Sequence, residues 1–265
     1  MLRFVFLAYG VACHLLFLAT FGYMAGFVGN LAVPKSIDAP VATPAGMALI
    51  VNLLLVAAFA LQHSVMARPA FKRWWTRVVP EPIERSTYVL ASCLVCWLLM
   101  VYWQPMTAVV WNVTHPLGRA VLWGLFSAGW LAVPLVSLMI NHFDLFGTRQ
   151  VWLHWRGRSY TPLAFRVPLF YRFVRHPLYL GWALAFWATP TMTLGHLLFA
   201  GSLTAYMGLA ALIEERDLLR HFGRQYAEYQ QRVPMFVPRF PKAWLAARTK
   251  PVRTTRSLVE LSETR

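Results

Sequence analysis

Long apolar runs recur along this 265-residue chain and leave it few ways to fold. A helix needs roughly 20 apolar residues to cross a bilayer. The runs from about Phe4 to Val28, Thr43 to Val65, just after Pro82 to Trp103, and Arg119 to Ile140 all reach that length. Inside lipid a backbone must satisfy its own hydrogen bonds, so each run reads as a helix. Two shorter arms, about Pro177 to Met192 and Gly195 to Ile213, form a hairpin nearer the C-terminus. Only 13% of residues are charged and 58% are hydrophobic, too little charge to clothe a soluble domain of this size. The expected fold is all-α: a polytopic membrane helix bundle of five to six transmembrane helices. The count turns on whether the short first arm of the hairpin crosses. One domain is expected over residues 1–242, followed by a basic tail, 243–265, with no packing pattern and expected to be disordered.

Lysine and arginine set the orientation. Loops 29–42 and 104–118 hold one such residue between them, Lys35, whereas 66–85 holds five, 141–176 six, and the segment from Glu214 onward eleven. Cytoplasmic loops carry the excess of basic residues, so both termini are expected in the cytoplasm. The same bias, with contact to anionic lipid, accounts for the net charge of +15. No nucleic-acid recognition motif accompanies that charge, so the bilayer and not nucleic acid is the expected partner. Arg68, Lys72, Arg73 and Arg77 interleave with Phe71, Trp74 and Trp75, the mixture found at a headgroup surface. Cys13, Cys93 and Cys96 all lie in apolar runs. Cys93 and Cys96 lack the second ligand pair of a zinc site and the context of a redox motif, so neither metal nor disulfide is expected. The start, Met1-Leu2-Arg3 before a run reaching Val28, reads as a retained first span and not a cleaved signal.

With this topology His63, Glu84, Arg85, Asn141, His142, Asp144, Arg175, His176, Glu214 and Glu215 all fall at cytoplasmic ends of spans. The opposite face offers little titratable beyond Lys35, Asp38, His115 and His196. Polar groups at such depth are costly unless paired or facing water. They either line a cytoplasmic cavity or are the ordinary interfacial residues of a positive-inside protein. Arg175-His176-Pro177-Leu178-Tyr179-Leu180-Gly181 opens the hairpin. Pro177 suits a first helical turn, whose free N–H groups beside a guanidinium make an anion site. Tyr179 lies on the face of Arg175, and Gly181 admits a neighbouring helix or a ligand close to the backbone. The return arm ends in Glu214-Glu215-Arg216-Asp217, so fixed positive and negative groups bracket one apolar hairpin. Such a pocket suits a small zwitterion with a reactive end. His14, alone at mid-span, reads as an interhelical hydrogen-bonding partner.

R-H-P-x-Y-x-G (Arg175 to Gly181), E-E-x-x-L (Glu214 to Leu218), F-G-x-x-Y-x-x-Y (Phe222 to Tyr229) and V-P-x-F-V-P (Val233 to Pro238) together resemble the isoprenylcysteine carboxyl methyltransferase and phospholipid methyltransferase superfamily. Q-H-S-V-M-A-R-P-A-F-K (Gln62 to Lys72), E-R-S-T-Y-V-L (Glu84 to Leu90) and N-H-F-D-L-F-G-T-R-Q (Asn141 to Gln150) are similar to the nurim-like family. Within it they look most like bacterial enzymes that methylate methanethiol to dimethyl sulfide. The resemblance implies an integral membrane enzyme, of the bacterial inner membrane, that uses S-adenosylmethionine. It places the cofactor in residues of about 141–242, with contacts from Arg175, His176, Tyr179, Gly181, Glu214 and Glu215, and with Tyr226 and Tyr229 as lid residues.

The chemistry of the pairing is sensible. The cofactor's carboxylate wants Arg175 or His176, its ammonium or ribose hydroxyls want a glutamate, and its sulfonium wants an aromatic face such as Tyr179 or Trp182. A small thiol as acceptor must react as thiolate, yet an ordinary thiol with a pKa near roughly 8.5 is mostly protonated at neutral pH. His63, His142 and Asp144 are the candidate bases, with Arg85 and Arg149 as charge stabilisers. Each of them also has a plain reading as a helix-end partner. Methylation of a lipid or a prenylated carboxylate, and a non-catalytic structural role of the nurim-like kind, remain the alternatives.

Overall fold

The structure, a computed structural model, describes residues 1–40 and 43–238. The tail expected to be disordered, and the domain limit at residue 242, lie outside the described residues.

In chain order the elements are α1 (Leu2–Gly29), α2 (Ala45–Ala67), α3 (Pro69–Trp75), α4 (Glu81–Tyr102), β1 (Val109–Asn112) and α5 (Pro116–Ile140). Then follow α6 (His142–Leu145), α7 (Thr148–Trp155), a single turn of 3-10 helix at Leu169–Arg172, α8 (Pro177–Trp187), β2 (Thr191–Thr193), α9 (Leu194–Phe222) and α10 (Arg224–Arg232). Among the described residues five helices, α1, α2, α4, α5 and α9, are long and apolar enough to cross a membrane. Leu54, Leu131 and Leu209 are each more than half exposed although they sit in the middle of spans. A helix apolar on every side belongs in lipid, where such exposure is no penalty. The chain is an integral membrane helix bundle.

The hairpin's first arm is the part that the sequence describes least well. The helix expected to reach Met192 stops at Trp187, so α8 is only 11 residues, or roughly 17 Å at the usual helical rise. From Ala188 to Pro190 the chain leaves the helix and joins β2. Pro190 cannot continue a helix, and Thr189, Thr191 and Thr193 favour extended backbone. β2 pairs antiparallel with β1, Val109 opposite Thr193 and Asn112 opposite Thr191. This ribbon covers the bundle end opposite the basic loops. There, Lys35 donates to the Val101 carbonyl, Thr193 Oγ1 bonds Asp38 at 2.5 Å, and buried Asn52 exchanges bonds of 2.7 and 2.8 Å with the Gln104 backbone.

The core lies between α1, α4, α5, α8 and α9, where Phe27, Trp103, Phe126, Trp130, Phe186 and Phe199 pack edge to face. α8 runs antiparallel to α5 at very close range. A Cβ added to Gly129 would lie 2.5 Å from the Ala185 backbone nitrogen, and one on Gly181 would lie 3.3 Å from the Ala132 methyl. Small residues let helix backbones approach this closely in a membrane. α5 runs on through Pro134 and ends at Asn141, whose positive φ stops the helix and whose side chain accepts from the Asp144 amide at 3.1 Å. That stop turns α6 and α7 back under the near end of the bundle.

Candidate active site

Arg175 lies just before the N-terminus of α8, and Glu215 faces it from α9. Arg175 Nε reaches Glu215 Oε1 at 2.6 Å and Nη2 reaches Oε2 at 3.1 Å, while Nη1 donates to the carbonyls of Gln230 and Val233 at 3.1 and 2.5 Å. Gln230 Nε2 donates to Glu215 Oε2 at 2.8 Å, and His176 Nε2 lies 3.0 Å from Oε1. The extended Val233–Pro238 segment closes the clamp, its Pro234 and Met235 carbonyls accepting from the Arg175 and His176 amides at 2.9 and 3.2 Å. Every nitrogen of this guanidinium is occupied. Arg175 and Glu215 hold the C-terminal segment against the hairpin.

Beside the clamp the groups are open. Glu214, with 47% of its side chain exposed, accepts from the Tyr179 hydroxyl at 3.0 Å through Oε2, which is also 3.8 Å from His176 Nδ1. Its other oxygen takes no hydrogen bond among the described residues. The His176 and Tyr179 rings stack with planes only 7° apart at 5.3 Å, and Phe236 lies 5.6 Å from His176. A carboxylate with spare capacity beside stacked aromatic faces fits a group carrying an ammonium, hydroxyls and a soft cation.

The other residues singled out in the sequence divide into separate groups. Tyr226 and Tyr229, expected to be lid residues, are instead buried with Val233, Phe165 and Phe222. Tyr229 donates to the Tyr171 carbonyl at 2.6 Å, and burial pushes both phenols above their ordinary range. They fasten the loop before α8 to α9 and α10. Gly181, expected at the cofactor, sits in the α5–α8 seam. Asp144 is almost fully buried between Arg149, at 2.8 Å, and Arg85, at 3.6 Å, with the Tyr160 hydroxyl at 3.4 Å. Arg149 also bonds Thr161 twice, both at 2.9 Å, so the trio ties α4, α6 and the following loop together. Next to it a cavity of about 410 Å³ is lined by Glu81, Glu84, Arg85, Gln150, His154 and Tyr160, among others.

His142 is buried with Nδ1 2.7 Å from Ser137 Oγ and Nε2 3.2 Å from His14 Nε2. Desolvation, then the neighbouring His14, hold its imidazole below the ordinary histidine range. His14 is indeed an interhelical partner, its Nδ1 lying 2.7 Å from Thr148 Oγ1. His63 belongs to a third group, between α2 and α4. The Tyr88 hydroxyl lies 2.9 Å from its Nε2, Ser92 Oγ 3.3 Å from its Nδ1, and Phe59 stacks on its ring. Ser64, the next residue, bonds the Tyr206 hydroxyl of α9 at 3.0 Å.

Compared with known proteins, the chain is 53% identical over 238 residues to the methanethiol S-methyltransferase of Mycobacterium tuberculosis, covering 90% of this chain and 98% of that protein. It is 48% identical over 232 residues to the methanethiol S-methyltransferase of Crocosphaera subtropica, covering 88% and 91%. The chain belongs to the methanethiol S-methyltransferase family. Nurim of Bos taurus is more distant, 33% identical over 179 residues, 64% of this chain and 68% of nurim. No family model matches the chain, and no solved structure does.

Two partners escaped the sequence reading. Gln230 completes the clamp from α10, and Tyr88 touches His63 from another helix. No spacing rule connects them to their partners, because 15 and 25 residues of intervening chain separate each pair. Only Tyr88 lay within a motif already singled out.

Proposed function

We propose that this chain transfers the methyl group of S-adenosylmethionine to methanethiol, giving dimethyl sulfide. The observation that carries the reading is the open Glu214 carboxylate beside the stacked His176 and Tyr179 rings, in a chain of this family. When bound, S-adenosylmethionine supplies an electrophilic methyl on a sulfonium, and the reaction is an in-line displacement by sulfur. Glu214 would hold the ammonium or ribose hydroxyls, and Tyr179 and His176 would present aromatic faces to the cation. The Arg175–Glu215 clamp supports those groups from beneath and keeps the C-terminal segment over the mouth. The Lys/Arg asymmetry supports a cytoplasmic position for this end, where a soluble donor is available.

The test is transfer of isotopically labelled methyl from S-adenosylmethionine by purified protein in detergent, offered methanethiol, longer thiols, a prenylated cysteine and a phospholipid. Labelled dimethyl sulfide is the expected product. Label in the prenyl or lipid acceptor, or in none, overturns the reading.

A further inference from the structure

The sequence left three bases open for the thiol, and the geometry separates them. Asp144 is committed to two guanidiniums and a phenol, and both nitrogens of His142 are committed to Ser137 and His14. His63 is arranged differently. Ser92 Oγ donates to the Tyr88 carbonyl at 3.0 Å, so its lone pairs are what Nδ1 of His63, at 3.3 Å, and Gln62 Nε2, at 3.4 Å, can use. Either ring nitrogen can carry the hydrogen, which leaves the lone pair on the other. The Tyr88 hydroxyl, 2.9 Å from Nε2 and 3.0 Å from Nδ1, is within reach of that lone pair in either tautomer.

Tyr88 also lies on the side of the methyl-donor groups. Phe59 packs on both His63 and Tyr206, Ser64 bonds the Tyr206 hydroxyl at 3.0 Å, and Tyr206 lies on α9 about two turns before Glu214, the partner of Tyr179. The geometry points to Tyr88 and His63 as a two-step proton relay for the acceptor thiol, an inference that rests on the functional reading above. As the new sulfur–methyl bond forms and the methyl–sulfonium bond breaks, the thiol S–H bond breaks and its electron pair stays on sulfur. The pair from the methyl–sulfonium bond neutralises the donor sulfur. Tyr88 accepts the thiol proton on its oxygen and passes its own to the ring nitrogen of His63 that carries the lone pair. Tyr88 ends unchanged, and the His63 imidazolium returns the proton to solvent. Ser92, with its Oγ 3.3 Å from Nδ1, is a positioning residue for the ring.

The surrounding ionisable groups are Arg85 and Tyr88 from α4, Arg68 beyond the end of α2 with its partner Asp217, Tyr206 from α9, and Tyr179 with Glu214 at the α8–α9 mouth.

The experiment compares full-length parent, Tyr88→Phe, His63→Gln and the double variant, with S-adenosylmethionine and methanethiol, across about pH 6 to 9.5. Donor affinity is measured separately by calorimetry. Both single variants are expected to lose about a hundredfold in kcat at pH 7, within the usual range for general acid–base catalysis. Donor affinity should hold within about twofold. Raising the pH should restore much of the rate, because solvent then supplies the thiolate. The double variant should be no slower than the worse single one, as residues acting as one unit are not additive. A Tyr88→Phe protein with the parental rate and pH profile overturns the relay, as does loss of donor affinity in step with rate. A parent that methylates no thiol overturns the functional reading itself, whereas an active parent with unaffected variants overturns only the relay.

Discussion

Arg175 and Glu215 meet in a two-pronged pair, 2.6 and 3.1 Å long, with only 12% and 8% of their side chains exposed. Removing one partner strands the other charge in a site with little water, which costs about 3–5 kcal/mol for a buried pair. Glu215→Gln should therefore lower the melting temperature in detergent and open residues 223–238 to proteolysis. Unchanged melting and unchanged cleavage would count against the clamp.

Glu214 should behave in the opposite way. Its side chain is half exposed, so Glu214→Gln should leave melting close to parental. Loss of a charge-assisted contact of about 1.5–3 kcal/mol should weaken S-adenosylmethionine binding roughly ten- to a hundredfold. Calorimetric titration of the two variants side by side checks the division of labour between adjacent glutamates.

The α5–α8 seam gives a packing test. Gly129→Leu places side-chain atoms against the Ala185 backbone, 2.5 Å from the first added carbon, and should destabilise by about 1–3 kcal/mol or more. Gly124→Ala in the same helix meets nothing within 4 Å and should be neutral or stabilise by about 0.5–1 kcal/mol. Thermal unfolding of both variants tests whether proximity, and not glycine loss itself, decides the outcome.

His142 links stability to pH. Its folded-state pKa lies below the ordinary value of 6.5, so the unfolded chain binds the proton more readily. The contribution is fully present above about pH 6.5 and is lost as pH falls through the depressed folded value. Melting temperature should drop on going from about pH 7.5 to 5, and His142→Asn should flatten that dependence. A variant with the parental slope would place the acid sensitivity elsewhere.

Reporter fusions test the orientation proposed from the basic loops. Fusions after Trp75, Arg158 and Arg248 should read cytoplasmic, and one after His115 should read external. An external reading after Arg158 would put the donor mouth on the wrong side of the membrane.

Apolar run length and the placement of Lys and Arg determined, without any structure, that this chain is a helix bundle in a membrane and where its five long helices lie. Those properties are local: a run of roughly 20 apolar residues crosses lipid whatever its neighbours are. The motifs around Arg175, Glu214 and Tyr229 come together where α8, α9 and α10 meet. What each residue does there was decided by tertiary contact. The two adjacent glutamates look alike in sequence, yet helical rotation turns Glu215 into a buried clamp on Arg175 and leaves Glu214 open beside Tyr179. Tyr226 and Tyr229 became core because Phe165 and Val167, some 60 residues away, supply the apolar wall. α8 ended early because β1, from another loop, offered its edge to the threonines that follow. His63 acquired Tyr88 and Ser92 only when α2 and α4 packed side by side. A hydrogen bond between helices depends on their rotation and separation, and neither is written in the spacing of residues along one of them.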